Sequence, residues 1–420
     1  MLRLPLHGVG TQEDLLLPFW LTLAVAGTVV VVSFAVLGLR RVTTTRTLTL
    51  PRAANVAVAL VLPLLRVGGL ALFGWMMLAA WGGPDDALNP TPLITYVVLW
   101  VLVIAIGSAV FGPLYPALDP VRTLWLSVSA LLRRQPDRGV LGQLPSRAGY
   151  WGASVALIVF AWLELILPQG DSTAVLRTFF LVLWIVNGVG VTLFGTSWLD
   201  RADGFTVTSQ LYGHLSPMTR DPNNALVARV PLRSAENIPV RPGLTAVITL
   251  LLATTLWDGL SERFAAWSTL GKTAGFLSAY AALALLYWLS TSAVMKNRQA
   301  SLMFAPSLVP IALGYIVAHY WTFLIIGGQQ AIIRSSDPFG VGQDLLGSGG
   351  WGISYALVGS GLVATIKVTA VILGHVAGVL VAHRIAAREL PVQRWLKDQI
   401  PLLVLMVFIT ITGLLLLFPE

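Results

Sequence analysis

Three of the five histidines in this 420-residue chain, His319, His375 and His383, lie in or at the end of two neighbouring apolar stretches. An ionisable side chain inside a bilayer-length apolar run is costly to bury and is a candidate for function. Three chemistries are open to His319 and His375. Each can serve as a hydrogen-bonding strut. Two on facing helices can ligate a haem iron, with haem b as the cofactor. Together with carboxylates they can instead hold a divalent metal that activates water. In that last arrangement His7, His319 and His375 are the metal ligands, Asp337 or Asp344 orients the water, and Asp14 stands beside His7. Glu164 is a further candidate acid, and a short turn places it to form an ion pair with Arg177 between two apolar stretches. Arg66 and Lys367 complete the set of ionisable residues in such stretches. There is no His-Glu-x-x-His pair and no phosphate-binding glycine loop ending in Lys-Ser or Lys-Thr. Without cysteine, thiolate metal sites, disulfides and thiol nucleophiles are excluded.

The elements that must position these groups are membrane helices. The chain is 56% hydrophobic and only 11% charged, with a mean hydropathy of +0.79; soluble domains carry about 25% charged residues. Apolar runs of spanning length fall near 17–39, 53–81, 92–112, 148–167, 173–198, 243–257, 273–295, 302–326, 353–383 and 399–418. The expectation is an all-α bundle of about ten spans, one integral membrane domain over 1–420 facing membrane lipid. The first sixteen residues lack the order of a cleavable signal peptide.

A net charge of +8 does not point to nucleic acid, because the basic residues are dispersed among short loops. They fall mostly in alternate loops, beginning with Arg40, Arg41, Arg46 and Arg52, while Glu13, Asp14, Asp85, Asp86, Asp171, Asp258, Glu262, Asp337 and Asp344 gather in the others. The positive-inside rule then puts both termini outside, in a multi-pass protein of the plasma (inner) membrane.

Two long cytoplasmic loops are expected, 112–147 and 200–243. In the first, Pro113, Pro116 and Pro120 hold the chain extended ahead of an interfacial helix over Val121–Arg133. In the second, alternation at Phe205–Leu211 and Ala225–Leu232 reads as a hairpin, with His214 an ordinary exposed histidine. A glycine-rich extracytoplasmic loop over 327–352 is expected to cap the mouth between the flanking spans, Arg334 pairing with Asp337 or Asp344. Within those spans Gly314, Ala318 and Thr322 form one small-residue seam and Ala370, Gly374 and Gly378 another, which lets the helices approach closely. His319 and His375 reach a common depth only if the second helix starts later than Ile353.

The tracts His7-Gly-x-Gly-x-x-x-Asp14-Leu-x-Leu-Pro18, Trp162-Leu-Glu164-Leu, Phe194-Gly-Thr-Ser-Trp198 with Asp203-Gly-Phe205, Ala318-His319-Tyr320, Ser336-Asp337-Pro-Phe-Gly-Val-Gly, Gly374-His375 and Pro401-Leu-Leu-Val-Leu-Met406 run through nearly the whole chain. In these it resembles a family of actinobacterial polytopic membrane proteins, some of which carry the name fenitrothion hydrolase. The resemblance implies hydrolysis of an aryl organophosphate triester, a small hydrophobic substrate, at an outward-facing site containing histidine. The alternative from another class is a transporter, or a haem-bearing membrane subunit that works with other membrane subunits, in which Arg66, Glu164, Arg177 and Lys367 line a path or a partner surface.

Overall fold

A computed structural model describes residues 10–38, 48–86, 88–220, 226–295, 299–391 and 395–418; His7 lies outside the described residues. The chain is 74% helical with almost no strand. Among the described residues ten helices are long and apolar enough to cross a membrane, so this is a polytopic α-helical membrane protein. The helices are α1 (Phe19–Gly38), α2 (Arg52–Gly82), α3 (Thr91–Phe111), α4 (Pro120–Leu131), α5 (Trp151–Leu165), α6 (Thr173–Phe194), α7 (Thr196–Ala202), α8 (Gly204–Gly213), α9 (Leu244–Ser261), α10 (Thr269–Val294), α11 (Val309–Ser335), α12 (Ser360–Glu389) and α13 (Ile400–Leu417). All but α4, α7 and α8 are candidate spans, and they coincide with the ten apolar runs.

The chain forms two compact units. One comprises Thr47–Arg229 and Phe323–Ser354, the other Pro5–Arg46, Val230–Thr322 and Tyr355–Glu420. In the first unit α3 is the central helix, with 72% of its apolar stretch buried against 11% for α2. Aromatic rings from four elements fill its core: Trp100 and Phe160 are 4.9 Å apart, Phe160 and Phe205 5.0 Å, Phe179 and Phe180 5.2 Å, all tilted or edge-on, the favoured geometry for such pairs.

The first of the two stretches expected to form a hairpin, Phe205–Leu211, is instead helix α8. Asp203 caps it by accepting from the Thr206 N–H at 2.9 Å, and Gly204 to Ser209 are all buried. With no solvent-facing side, the apolar alternation there carries no strand signal. The second stretch does hold a strand: β3 (Leu226–Ala228) pairs antiparallel with both β1 (Leu48–Thr49) and β2 (Met218–Arg220), in the order β1-β3-β2. His214 is half-buried rather than exposed, its Nδ1–H donating to the Gln210 carbonyl at 2.7 Å.

The glycine-rich loop starts later than expected, because α11 runs on through Gly327 and Gly328 to Ser335. Residues 336–354 are tied to their own unit. The Leu345 N–H donates to the Ser336 carbonyl at 2.8 Å, Ser348 Oγ to the Ile332 carbonyl at 3.1 Å, and Gln329 exchanges two hydrogen bonds with the Ser354 backbone. A Cβ added at Gly82 would lie 3.0 Å from the Phe339 ring, so the loop packs on the end of α2 and on the last turns of α11.

In the second unit the two expected seams meet. A Cβ on Gly314 would strike the Ala370 carbonyl and lie 3.2 Å from the Gly374 Cα; one on Gly378 would lie 2.7 Å from the Ser307 carbonyl. The first half of α11 and α12 therefore pack antiparallel at backbone contact.

Candidate functional site

Helices α9 and α11 bring together a carboxylate and an imidazole in the second unit. Asp258 sits in the last turn of α9, where the negative end of the helix opposes a carboxylate, and Asp258 Oδ2 meets His319 Nε2 at 2.5 Å. Both side chains are largely enclosed, at 15% and 9% exposure. Tyr315 lies one turn before His319 on the same face of α11. Its hydroxyl donates to the Ile409 carbonyl of α13 at 2.6 Å, and its ring occupies the space that a side chain at Gly413 would need. Between these groups lies a cavity of about 10 Å³ lined by Thr255, Gly259, Tyr315, His319, Gly413 and Leu416 among others, room for about one water molecule. The Tyr320 ring stands edge-on to the His319 imidazole at 4.8 Å.

His375 is wholly buried on α12. Its Nδ1–H donates to the Val371 carbonyl one turn back at 2.9 Å, and its ring stands edge-on to Tyr315 at 5.7 Å. Its Nε2 has no hydrogen-bond partner. The contacts of Gly314, Gly374 and Gly378 set the register of the two helices, and in that register His319 lies near the level of Lys367, about 12 Å along the axis from His375. Among the described residues no three His, Asp or Glu side chains converge as a metal-ligand set.

The remaining expected site residues are engaged locally, in the first unit. Asp337 accepts from the N–H groups of Val341 at 3.0 Å and Gly342 at 2.8 Å. Asp344 accepts from the Ser336 hydroxyl and the Gly349 N–H, which hold its carboxyl below the usual carboxylate range. Arg334 does not pair with either aspartate but donates to Gln330 Oε1 at 3.2 Å. Glu164 is half-buried in the last turn of α5. Arg177 lies over the Trp81 ring at 4.7 Å and donates to the Ala80 carbonyl at 3.4 Å.

A second polar cluster, missed from sequence, lies in the first unit. Asp119 and Asp203 are both 1% exposed, and each caps a helix: Asp119 Oδ1 accepts from the Val121 N–H of α4 at 2.9 Å, while Asp203 caps α8 and also accepts from Asn187 at 3.3 Å. Arg122 lies 4.0 Å from Asp119 and 2.8 Å from Asp200. Burial, and then the neighbouring Asp203 charge, push the Asp119 carboxyl up to about 7, and burial raises Asp203 as well. The signal was present in Asp-Pro and Asp-Gly at the helix starts. Asp258 was visible only as one acid among several in acidic loops, because its role depends on a helix far along the chain. Compared with protein-family models, curated proteins and solved structures, the chain matches none.

Proposed function

We propose that the working centre is the Asp258–His319 pair, facing the extracytoplasmic side, and that it acts as a general base on a water molecule to hydrolyse a small hydrophobic ester. The observation that carries this reading is the water-sized cavity bounded by His319 and Tyr315, directly beside the 2.5 Å pair. An imidazole held by a carboxylate is oriented to accept a proton, as in other acid–base pairs. The water oxygen attacks the electrophile, its proton passes to His319, and Asp258 stabilises the imidazolium. The resemblance to the proteins named fenitrothion hydrolase supplies the substrate class, an aryl phosphotriester with a phenolate leaving group. The outward orientation rests on the distribution of basic residues among the loops.

Purified protein in lipid nanodiscs is expected to release a nitrophenolate from an aryl phosphotriester, read by absorbance, with and without chelator. His319→Asn and Asp258→Asn are each expected to lower kcat/KM by about 100-fold or more, with the protein still folded by circular dichroism. No turnover by the unsubstituted protein, or full turnover by both variants, overturns the reading. A second reading, proton-coupled transport, is favoured by the placement of this ionisable pair within spanning helices. Proton flux in proteoliposomes that is lost in both variants, without hydrolysis, selects it.

A further inference from the structure

Helix α4 and the turn after it are not spans, yet they present apolar side chains outward. Leu124, Val128, Leu131 and Leu132 are 57%, 45%, 82% and 54% exposed and recur at the spacing of one helical face. Ser129, on the other side of the helix, is buried, and at the first turn Val121 packs with Val191 and Leu199 and against Trp125, Trp184 and Trp198. Past the helix, the turn 139–142 exposes Val140 and Leu141 at its tip, at 73% and 64%.

Hydrogen bonds fix the level of this segment. The N–H groups of Val140 and Leu141 donate to the carbonyls of Thr192 and Leu193 at 2.9 and 2.8 Å, so the turn caps the last carbonyls of the spanning helix α6. The Pro136 carbonyl accepts both from the Thr196 N–H at 2.9 Å and from the Trp125 indole at 2.8 Å, which ties α4 to the same end of α6. That end is where a span leaves the hydrocarbon. The exposed leucines and valines are thus continuous with the lipid-facing surface of α6, where Val182, Ile185, Val186 and Val189 are 47–57% exposed.

The charge at this level is basic. Arg133, Arg134, Arg138 and Arg147 are all exposed; Asp137, the acid among them, accepts from Gln143 at 2.6 Å. We infer that α4 and the turn 139–142 form an in-plane membrane anchor that binds anionic phospholipid, its apolar side chains in the acyl boundary and Arg133, Arg134 and Arg138 on the headgroup phosphates. Basic residues flanking an apolar helical face are the pattern that holds such elements at an anionic surface.

The absence of cysteine allows single spin labels. The full chain carrying Val128→Cys or Val140→Cys is labelled and placed in nanodiscs of phosphatidylcholine with or without phosphatidylglycerol. Both labels are expected to be relaxed more by oxygen than by a water-soluble nickel chelate, the reverse of a label at exposed Gln135. Separately, the unlabelled chain is expected to prefer spin-labelled phosphatidylglycerol over phosphatidylcholine, and each of Arg133→Gln, Arg134→Gln and Arg138→Gln to cut that preference by up to about fivefold. Labels more accessible to nickel than to oxygen place the face in water and overturn the inference. Shielding from both reagents, which a protein partner or a second copy would give, also overturns it. Oxygen-accessible labels with no headgroup preference overturn the anionic-lipid assignment.

Discussion

Asp119 is the residue whose protonation is most open to direct test. On folding its carboxyl moves from 3.8 to about 7, so the folded chain holds that proton more tightly than the unfolded one. The contribution of Asp119 therefore favours the fold below about pH 4 and is lost as the pH rises towards 7 and beyond. Asp119→Asn keeps an oxygen to accept from the Val121 N–H and removes the titration. The thermal midpoint of the unsubstituted protein in detergent is accordingly expected to fall between about pH 5 and pH 8, and that of the variant to fall less; equal slopes would show that Asp119 is ionised throughout. At the same scale Asp258 shows why a site residue escaped the sequence. His319 announced itself by sitting in an apolar run, whereas a carboxylate sixty-one positions away gains meaning only when α9 and α11 are side by side.

Glycines separate the helix faces that touch protein from those that do not. A Cβ at Gly374 would lie 2.9 Å from the Pro310 carbonyl, whereas one at Gly74 on α2 meets nothing within 4 Å. Gly74→Ala is expected to stabilise by up to about 1 kcal/mol through helix propensity. Gly374→Leu is expected to destabilise by about 1–3 kcal/mol or more through overpacking. Denaturation monitored by circular dichroism reads both, and a neutral Gly374→Leu would refute the seam. Lys367 links another set of elements: its buried ammonium donates to the carbonyls of Gly10 and Leu417, both at 3.3 Å, and lies 5.2 Å from the Phe418 ring. Lys367→Met is expected to free the segment before α1 and to cost about 1–2 kcal/mol, seen as faster amide exchange over residues 11–17. These elements were legible because spans announce themselves by length and apolarity, and seams by small residues four apart. The buried helix α8 was not, since a segment enclosed on every side has no amphipathic period to read. The end of α11 was misplaced because Gly327 and Gly328 read as loop, although in a packed helix they let Val97 approach.

At the scale of the molecule, ten apolar helices among the described residues agree with ten apolar runs, and the side of each loop remains the property on which an outward-facing site depends. Ser336 is buried against Asp344, so the exposed Gln343 is the better probe in this cysteine-free chain. Gln343→Cys is expected to react with a membrane-impermeant maleimide in intact cells; reaction only after lysis would invert the topology and remove the outward-facing site. The division into two compact units has a further consequence, for synthesis. Neither unit is a continuous piece of chain: the first needs both Thr47–Arg229 and Phe323–Ser354, and the second is assembled from three stretches that interleave with them. A ribosome delivering this chain from its N-terminus thus finishes no unit until Ser354 has emerged. The early spans must wait in the bilayer as partners for late ones, and separately expressed fragments can regain the fold only by being made together.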